Sequence, residues 1–282
     1  MRNFLFDFLT DIRDRQRVAI AIAKGSEARI ARKIDLKCPA TWEFSGFSQN
    51  GEDGIIDVLK SELLRPNRLF FEIGSSDGVQ NNTSWLLATG QYDGVLVEGN
   101  KRLSAKARRL LSDCNIATSF ESRFVTRENV CELLTLCSCH DPDLFSLDID
   151  GNDYYVAQAL FKNGLRPKIV VVEYNSVFGP DRSVTIPYNP AFNYRRAHPL
   201  QLYYGVSLRA WQKMLRGMGY RFVTVDSNGV NAFFVDPTQY LAGFLEDVVP
   251  LAYAENRYQV LTTGRKGEDQ YALIAKLELI EI

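Results

Sequence analysis

One stretch of the sequence, RLFFEIGSSDG at residues 68–78, constrains the fold more than any other. It begins as an apolar run at residues 69–71 and breaks into small residues from Gly74 to Gly78. A run that ends so abruptly predicts a buried parallel strand that enters a tight turn. The two glycines let backbone approach a ligand closely, because no side chain intervenes and positive φ is available. Glu72 is then expected where the strand ends and the crevice of an open α/β sheet begins.

The spacing of this turn is E-x-G-x-x-x-G, which differs from the dinucleotide fingerprint G-x-G-x-x-G. The acid comes before the glycines. A carboxylate at that place suits a ligand with a cationic amine and would repel a phosphate. The alternative interpretation is a strand followed by an ordinary glycine-containing turn.

Apolar runs and helical patterns alternate after this turn, which predicts a mostly parallel sheet with right-handed crossovers. Further strands are predicted at residues 94–98, 116–120, 143–150 and 168–175, and helices at 101–111, 154–161 and 207–218. The last two runs, 220–225 and 231–235, are separated only by residues 226–230, so they can only be antiparallel strands. An α/β sheet of this kind resembles the Rossmann-like fold of class I S-adenosylmethionine-dependent methyltransferases.

The sequence predicts three parts. Residues 1–45 form an N-terminal helical extension, since Leu5, Phe8, Leu9 and Ile12 repeat at helical spacing. Residues 46–237 form the methyltransferase domain, and residues 238–282 form a C-terminal tail with weak patterning. Within the domain, residues 176–202 are long, irregular and follow a strand end, so we expect them to cover the substrate.

The bulk properties exclude several classes of protein. Lys and Arg number 33 against 34 Asp and Glu, and a net charge of -1 gives no electrostatic case for binding nucleic acid. Five cysteines without a C-x-x-C pair fit reduced thiols in a cytoplasmic protein. The apolar N-terminal set is too short and too charged to cross a bilayer. The extension is expected to pack on the domain or on a partner subunit, with a membrane-surface helix as the alternative. A homo-oligomer could form through it or through the tail.

Acidic residues occur at the ends of four predicted strands. Parallel strands place their carboxyl ends on one edge, so we expect these acids to converge on one cleft. Glu98 at the second strand could accept both hydroxyls of a ribose, unless it is only a solvated strand-end acid. Residues 120–124 would supply the wall for an adenine. The predicted cofactor-binding set is Glu72, Gly74, Ser75, Asp77, Gly78, Asn82, Glu98, Gly99 and Asp148.

The fourth and fifth predicted strands carry a second group of oxygen donors. Strand alternation places Asp148 and Asp150 on one face, and pairs Glu173 with Asn175 on the neighbouring strand. Such ligands suit Mg²⁺ or Mn²⁺, and so dense a group of acids would repel itself without a cation. The alternative is that some of the polar residues here cap the following helix, as Asn152 or Asp153 would.

Methyl transfer to an alcohol needs help, because a hydroxyl is a poor nucleophile until its proton is removed or its oxygen is bound to a cation. A metal that holds the hydroxyl would lower its pKa, and a nearby base would take the proton. Asp153 is one candidate for this base. His198, one of only two histidines, is the other and lies in the predicted covering segment.

Four motifs, FEIGSSDG, LVEGN, SLDIDGNDYYVAQAL and PKIVVVEYN, resemble the FkbM-type family of S-adenosylmethionine-dependent O-methyltransferases over about residues 47–237. Asp150 stands where many relatives carry Glu, and the residues after Gly151 suggest a distinct branch. The resemblance implies methylation of a hydroxyl, often on a sugar or a polyketide. By looser similarity to metal-dependent sugar and catechol O-methyltransferases, the metal ligands would be Asp150, Glu173 and Asn175, with Asp148 as a competing choice.

The sequence therefore predicts an O-methyltransferase for a sugar hydroxyl, with S-adenosylmethionine as cofactor and Mg²⁺ or Mn²⁺ as metal. By resemblance, the acceptor would be a nucleotide-linked sugar in bacterial capsule or other surface-polysaccharide biosynthesis. Alternatives are a nucleotide-dependent oxidoreductase, against which the missing fingerprint argues, and a non-catalytic glycan-binding protein. Five aromatic residues would stack on the sugar: Tyr188, Phe192, Tyr194, Tyr203 and Tyr204. Three arginines would pair with a phosphate: Arg182, Arg195 and Arg196.

Overall fold

A computed structural model describes residues 2–282, with the side chains of residue 10 and residues 12–282. The strands are β1 Leu69–Ile73, β2 Asp93–Glu98, β3 Ser119–Ser122, β4 Leu144–Leu147, β5 Ile169–Glu173, β6 Val184–Thr185, β7 Arg221–Val225, β8 Asn231–Val235 and β9 Ile280–Glu281. The helices are α1 Arg2–Ala31, α2 Glu52–Ser61, α3 Ser84–Thr89, α4 Lys101–Leu111, α5 Val130–Leu134, α6 Asp153–Lys162, α7 Tyr194–Ala197, α8 Leu208–Gly217, α9 Ala242–Asp247, α10 Arg257–Thr263 and α11 Gly267–Tyr271.

Seven strands form one sheet in the order β3-β2-β1-β4-β5-β8-β7. The first five of these pair in parallel, whereas β8 is antiparallel to both β5 and β7. The order reverses between β1 and β4, so a crevice opens beyond their carboxyl ends. The predicted fold class, a mostly parallel Rossmann-like sheet that ends in an antiparallel hairpin, is confirmed.

Side chains on the strands alternate between two apolar layers. One layer contains Phe70, Val171 and Phe233 and packs under α2, α3 and α4. The other layer contains Phe145 and Phe234 and packs under α5, α6 and α8. Helices on both faces explain why the parallel strands are continuous apolar runs.

The third and fourth predicted strands differ most from the structure in their bounds. The third begins at Ser119, because the Asn115 side chain accepts a hydrogen bond from the Ala117 amide at 2.9 Å and turns the chain. Ile116, predicted as its first residue, is 97% exposed. The fourth ends at Leu147, and Asp150 has a left-handed φ of 55° that no strand residue adopts.

The two chain ends pack on the sheet domain. Asp14 of α1 is buried and pairs with Lys106 of α4 at 3.4 Å. Ile12 is 39% exposed, and the side chains of Leu5, Phe8 and Leu9 lie outside the described set. At the other end, β9 pairs antiparallel with β6, which ties the C-terminal tail to the predicted covering segment. None of the described helices is both long and apolar enough to cross a membrane.

Candidate active site

A cavity of about 970 Å³ lies at the carboxyl edge of the parallel strands. Its lining includes Glu72 at the end of β1, Glu98 at the end of β2, Asp148 after β4 and Glu173 at the end of β5. Acids from four strand ends therefore meet in one space, as the parallel order predicts.

Glu72 uses both carboxylate oxygens to hold the loop that follows the first turn. Oε1 accepts from the Asn82 amide at 2.9 Å, and Oε2 accepts from Asn81 Nδ2 at 2.6 Å and from Thr83 Oγ1 at 2.5 Å. Burial raises the pKa of Glu72, and these hydrogen bonds oppose that shift. Residues 81–83 therefore supply the hydrogen-bond partners of the Glu72 carboxylate. The same contacts hold Asn81 at the wall of the cavity.

The two glycines of the turn are needed for packing between elements. Gly74 has φ 93°, and a Cβ there would meet the Asp148 carbonyl oxygen at 1.6 Å. Gly78 has φ 78°, and a Cβ there would meet Ala107 and Leu111 of α4 at 3.0 and 2.8 Å. Gly74 therefore permits the ends of β1 and β4 to converge, and Gly78 lets α4 pack against the turn.

Three residues of the predicted cofactor set do not line the cavity: Ser75, Asp77 and Gly78. Asp77 is buried beside α4, where its carboxylate accepts from Lys106 Nζ at 2.9 Å. Asn82 does line the cavity, and its Nδ2 donates to Ser146 Oγ at 3.0 Å.

Glu98 is half-buried and faces the cavity from the end of β2. Oε2 accepts from the Ser76 amide at 2.9 Å and Oε1 from the Asn100 amide at 2.7 Å. Each oxygen keeps a further lone pair for a ligand. Beside it, Gly99 packs under the ring of Phe124, which is 58% exposed and forms part of the cavity wall.

Asp148, Asp150 and Glu173 form a carboxylate cluster in which the potential ligand oxygens all lie within 4.8 Å of one another. Burial raises the pKa of each of them, and the charges of nearby carboxylates, Asp153 among them, raise it further. The pKa of Asp150 is raised to about 6, while the charge of Arg195 opposes the shift. In the carboxylate cluster, full ionisation is therefore disfavoured unless a proton or a cation compensates the charge.

Asn175, predicted as a metal ligand, does not line the cavity, and its side chain is hydrogen-bonded to backbone groups. It is 1% exposed, its Nδ2 donates to the carbonyls of Leu202 and Tyr204 at 2.8 and 3.0 Å, and its Oδ1 accepts from the Val177 amide at 3.1 Å. Asn175 thus anchors the end of the covering segment. Asp148, the competing choice for a metal ligand, is the third member of the cluster.

Neither candidate base, Asp153 or His198, lines the cavity. Asp153 is buried, with Oδ1 accepting from the Ile149 amide at 2.9 Å and Oδ2 from the Gly151 amide at 2.8 Å. Asp153 therefore closes the turn that carries Asp150. It is also the first residue of α6, so it holds the start of that helix against the turn. His198 Nδ1 accepts from the Leu202 amide at 3.5 Å.

The predicted covering segment, residues 176–202, and the residues just after it contribute some of the predicted side chains to the cavity. Phe192, Tyr194, Tyr204 and Arg195 line it. Burial and the nearby carboxylate cluster raise the pKa of Tyr204. The other predicted residues do not line the cavity. The Tyr188 hydroxyl bonds to Glu128, and the Tyr203 hydroxyl donates to the Glu278 carbonyl. Arg182 forms two hydrogen bonds with Glu268 and stacks on Tyr271.

Sequence reasoning missed one wall of the cavity. Residues 49–52, 228–231 and 256–263 are far apart in the chain, yet all three segments contribute to this wall. They are joined by hydrogen bonds from the Arg257 amide to the Asn228 carbonyl at 2.9 Å and from Asn228 Nδ2 to Asn50 Oδ1 at 3.3 Å. No local motif marks these segments, because each contributes a few polar residues to a contact that only the tertiary fold creates.

Two buried amide oxygens at the cavity, Asn81 Oδ1 and Asn231 Oδ1, accept no hydrogen bond from the part of the chain that the structure describes. The two residues are 6% and 3% exposed. Unpaired buried acceptors are uncommon because they forfeit hydration without compensation. Each oxygen is therefore an unpaired acceptor that belongs to a residue of the cavity wall.

No protein-family model and no curated protein matches this sequence. Among solved structures, the chain is similar to the O-methyltransferase TomG from Streptomyces achromogenes, which is involved in tomaymycin synthesis and was solved in complex with SAM. The identity is 18% and the TM-score 0.43, and the match covers 76% of this chain and 87% of TomG. It is also similar to an O-methyltransferase from Bacillus cereus in complex with SAH, at 14% identity and TM-score 0.42, covering 78% and 89%. Likeness at this level assigns no activity to the chain.

Proposed function

We propose that this protein is an S-adenosylmethionine-dependent O-methyltransferase. The observation that carries the proposal is the single cavity shared by Glu98 at β2 and the carboxylate cluster at β4 and β5. Its volume of about 970 Å³ is at the upper end of the range for small-molecule sites, which suits a cofactor and an acceptor bound together.

The cofactor is proposed to bind across the ends of β1 and β2. Glu98 accepts hydrogen bonds from the two ribose hydroxyls, and Phe124 stacks on the adenine. Asn81 Oδ1 accepts a hydrogen bond from the amine of the methionine part, and Glu72 holds Asn81 in place for this contact. This placement directs the sulfonium toward the carboxylate cluster.

The carboxylate cluster fits a divalent cation. It supplies three hard oxygen donors, and burial followed by the charges of nearby carboxylates raises their pKa values, an effect that a cation would offset. Asp148, Asp150 and Glu173 would hold Mg²⁺ or Mn²⁺, and the bound metal would lower the pKa of an acceptor hydroxyl.

The reaction transfers one methyl group and releases one proton. The acceptor oxygen forms a bond to the methyl carbon as the carbon–sulfur bond breaks, which leaves S-adenosylhomocysteine as a neutral thioether. In a version without a metal, ionised Glu173 is the proposed base that takes the proton, and the burial that raises its pKa makes it a stronger proton acceptor. In a version with a metal, Glu173 would be a ligand and the proton would pass to solvent. Chelation separates the two versions.

The acceptor is proposed to be a sugar, in the form of a nucleotide sugar for bacterial surface-polysaccharide biosynthesis. Phe192, Tyr194 and Tyr204 offer rings at the cavity for a sugar face, and Arg195 and Arg257 offer positive charge for a phosphate. Arg257 replaces Arg182 in this role, because Glu268 already holds Arg182.

Calorimetry with S-adenosylhomocysteine and with NAD tests the cofactor, and incubation of S-adenosylmethionine with a panel of nucleotide sugars, read by mass, tests the reaction. We expect S-adenosylhomocysteine to bind, NAD not to bind, and one sugar to gain a methyl group. Binding of NAD alone would indicate an oxidoreductase. Cofactor binding without turnover on any sugar would indicate a non-catalytic glycan-binding protein.

A further inference from the structure

Asn231 is placed beside the carboxylate cluster by strand pairing. It is the first residue of β8 and lies directly opposite Glu173, the last residue of β5, in an antiparallel pair. Directly opposed residues of such a pair project from the same face, with Cβ atoms about 4.5–5.5 Å apart. A ligand group held at Glu173 therefore has Asn231 as its neighbour.

The orientation of the Asn231 amide is determined by its surroundings. Its Nδ2 donates to Glu52 Oε1 at 2.8 Å, and Glu52 is itself held by the Asn50 amide at 2.6 Å and by Asn50 Nδ2 at 2.9 Å. A carboxylate accepts hydrogen bonds, so the nitrogen of Asn231 must face Glu52 and the oxygen must face away from it.

Asn231 Oδ1 has no donor within reach among residues 10 and 12–282, although the side chain is 3% exposed. The residue lines the cavity. A buried acceptor that is fixed by its network but unpaired is costly to the fold, and a ligand donor would remove that cost. The wall that carries it is rigid, because the Asp226 carboxylate accepts from the backbone amides of Asn228, Val230 and Asn231.

The geometry points to Asn231 as an acceptor-binding residue that selects a molecule with a second hydroxyl or N–H group next to the hydroxyl that is methylated. This inference rests on the proposed function, since it takes the reacting hydroxyl to lie at the carboxylate cluster. The class of acceptor is then polyhydroxylated, with donors on neighbouring carbon atoms. An analogue without the second donor would leave the Asn231 oxygen unpaired, which is a strong basis for rejection.

The test measures binding of UDP-glucose, UDP-galactose, GDP-mannose and dTDP-glucose to the protein saturated with S-adenosylhomocysteine. At least one of these probes should bind the wild type, and Asn231→Ala should weaken it about ten- to a hundredfold, the loss expected for a buried hydrogen bond. Affinity for S-adenosylhomocysteine should not change, because Asn81 and Glu98 lie on the other side of the cavity.

A double variant separates ligand contact from a purely structural role. Glu52→Gln with Asn231→Asp exchanges donor and acceptor, so the hydrogen bond between residues 52 and 231 is kept and residue 231 still offers an oxygen to the cavity, while the hydrogen bond from Asn50 Nδ2 to the same Glu52 atom is given up. This variant should recover part of the sugar affinity that Asn231→Ala loses. Equal sugar affinity in Asn231→Ala and wild type, equal losses of sugar and S-adenosylhomocysteine affinity, or a failure of the exchange to rescue would each overturn the inference.

The same experiment distinguishes this inference from the proposed function. If S-adenosylhomocysteine itself does not bind the wild type, the proposed function fails. If it binds but none of the four probes does, the proposed cofactor site stands and the assignment of Asn231 to a polyhydroxylated acceptor is overturned.

Discussion

The two halves of the cavity use carboxylates in opposite ways. In the half where we propose that the cofactor binds, called the cofactor half, Glu72 and Glu98 have every carboxylate oxygen hydrogen-bonded to a nearby amide or hydroxyl. In the half where we propose that the acceptor binds, called the acceptor half, Asp148, Asp150 and Glu173 face one another, and burial together with nearby carboxylates raises the pKa of each. A strand-end acid is therefore held by its own loop or left facing other acids, according to how many donors that loop supplies.

The largest expected effect is on the acceptor half. Glu173→Gln keeps the size of the side chain and removes the negative charge and the proposed base. We expect kcat/KM for methyl transfer to fall about 10²–10⁴-fold, which corresponds to about 3–5 kcal/mol. The measurement is steady-state turnover with the best nucleotide sugar. The control is affinity for S-adenosylhomocysteine, which should stay within about twofold of the wild type because the substituted side chain lies far from the ribose site. Full activity in Glu173→Gln would show that Glu173 takes no part in the chemistry.

The contact between the two halves is tested at Gly74. Gly74→Ala adds strain at φ 93° and a collision with the Asp148 carbonyl oxygen at 1.6 Å. We expect a loss of about 3 kcal/mol in the free energy of unfolding, measured by urea denaturation. Gly219→Ala is a matched control, since φ is 92° and nothing lies within 4 Å of the added Cβ. It should cost only about 1–2 kcal/mol, and equal losses in both variants would mean that β1 and β4 do not converge as described.

A divalent cation should bind in the acceptor half and thereby stabilise the folded protein. At a hundredfold excess over its dissociation constant, Mn²⁺ should add about 2.7 kcal/mol to the free energy of unfolding and raise the melting temperature by about 5 °C. Asp150→Asn should abolish most of that rise, and EDTA should remove activity until Mn²⁺ or Mg²⁺ is restored. Unchanged melting in Mn²⁺ together with unchanged rates in EDTA would leave Glu173 as a metal-independent base.

The smallest expected effect is on the cofactor half. Glu98→Ala should weaken S-adenosylhomocysteine binding about tenfold, because it removes the ribose acceptor while the loop amides can bond to water. Asp77→Asn is the control, since Asp77 contacts Lys106 outside the cavity and its change should leave cofactor affinity unaltered. Calorimetry on both variants would contradict the assignment if Asp77→Asn caused the greater loss.

The two halves also differ in how far sequence predicts them. The cofactor half is encoded by contiguous motifs, so the strand ends at Glu72 and Glu98 follow from apolar runs and glycine positions. In the carboxylate cluster, the sequence predicts Asp150 and Glu173 as metal ligands and Asp148 as a competing choice. It does not reveal the backbone hydrogen bonds that hold Asn175, the third predicted ligand, and Asp153, a predicted base. The wall with Asn231 depends on contacts such as Asn231 with Glu52, 179 positions apart, which periodicity cannot detect.

The central claim is that a sulfonium donor and an acceptor hydroxyl meet between these two halves. A crystal structure with S-adenosylhomocysteine and Mn²⁺ tests it most directly. We expect the ribose hydroxyls on Glu98, the thioether sulfur facing Asp148, Asp150 and Glu173, and the metal bound by those three carboxylates. S-adenosylhomocysteine bound outside this cavity, or the three carboxylates turned away from one another, would contradict the account.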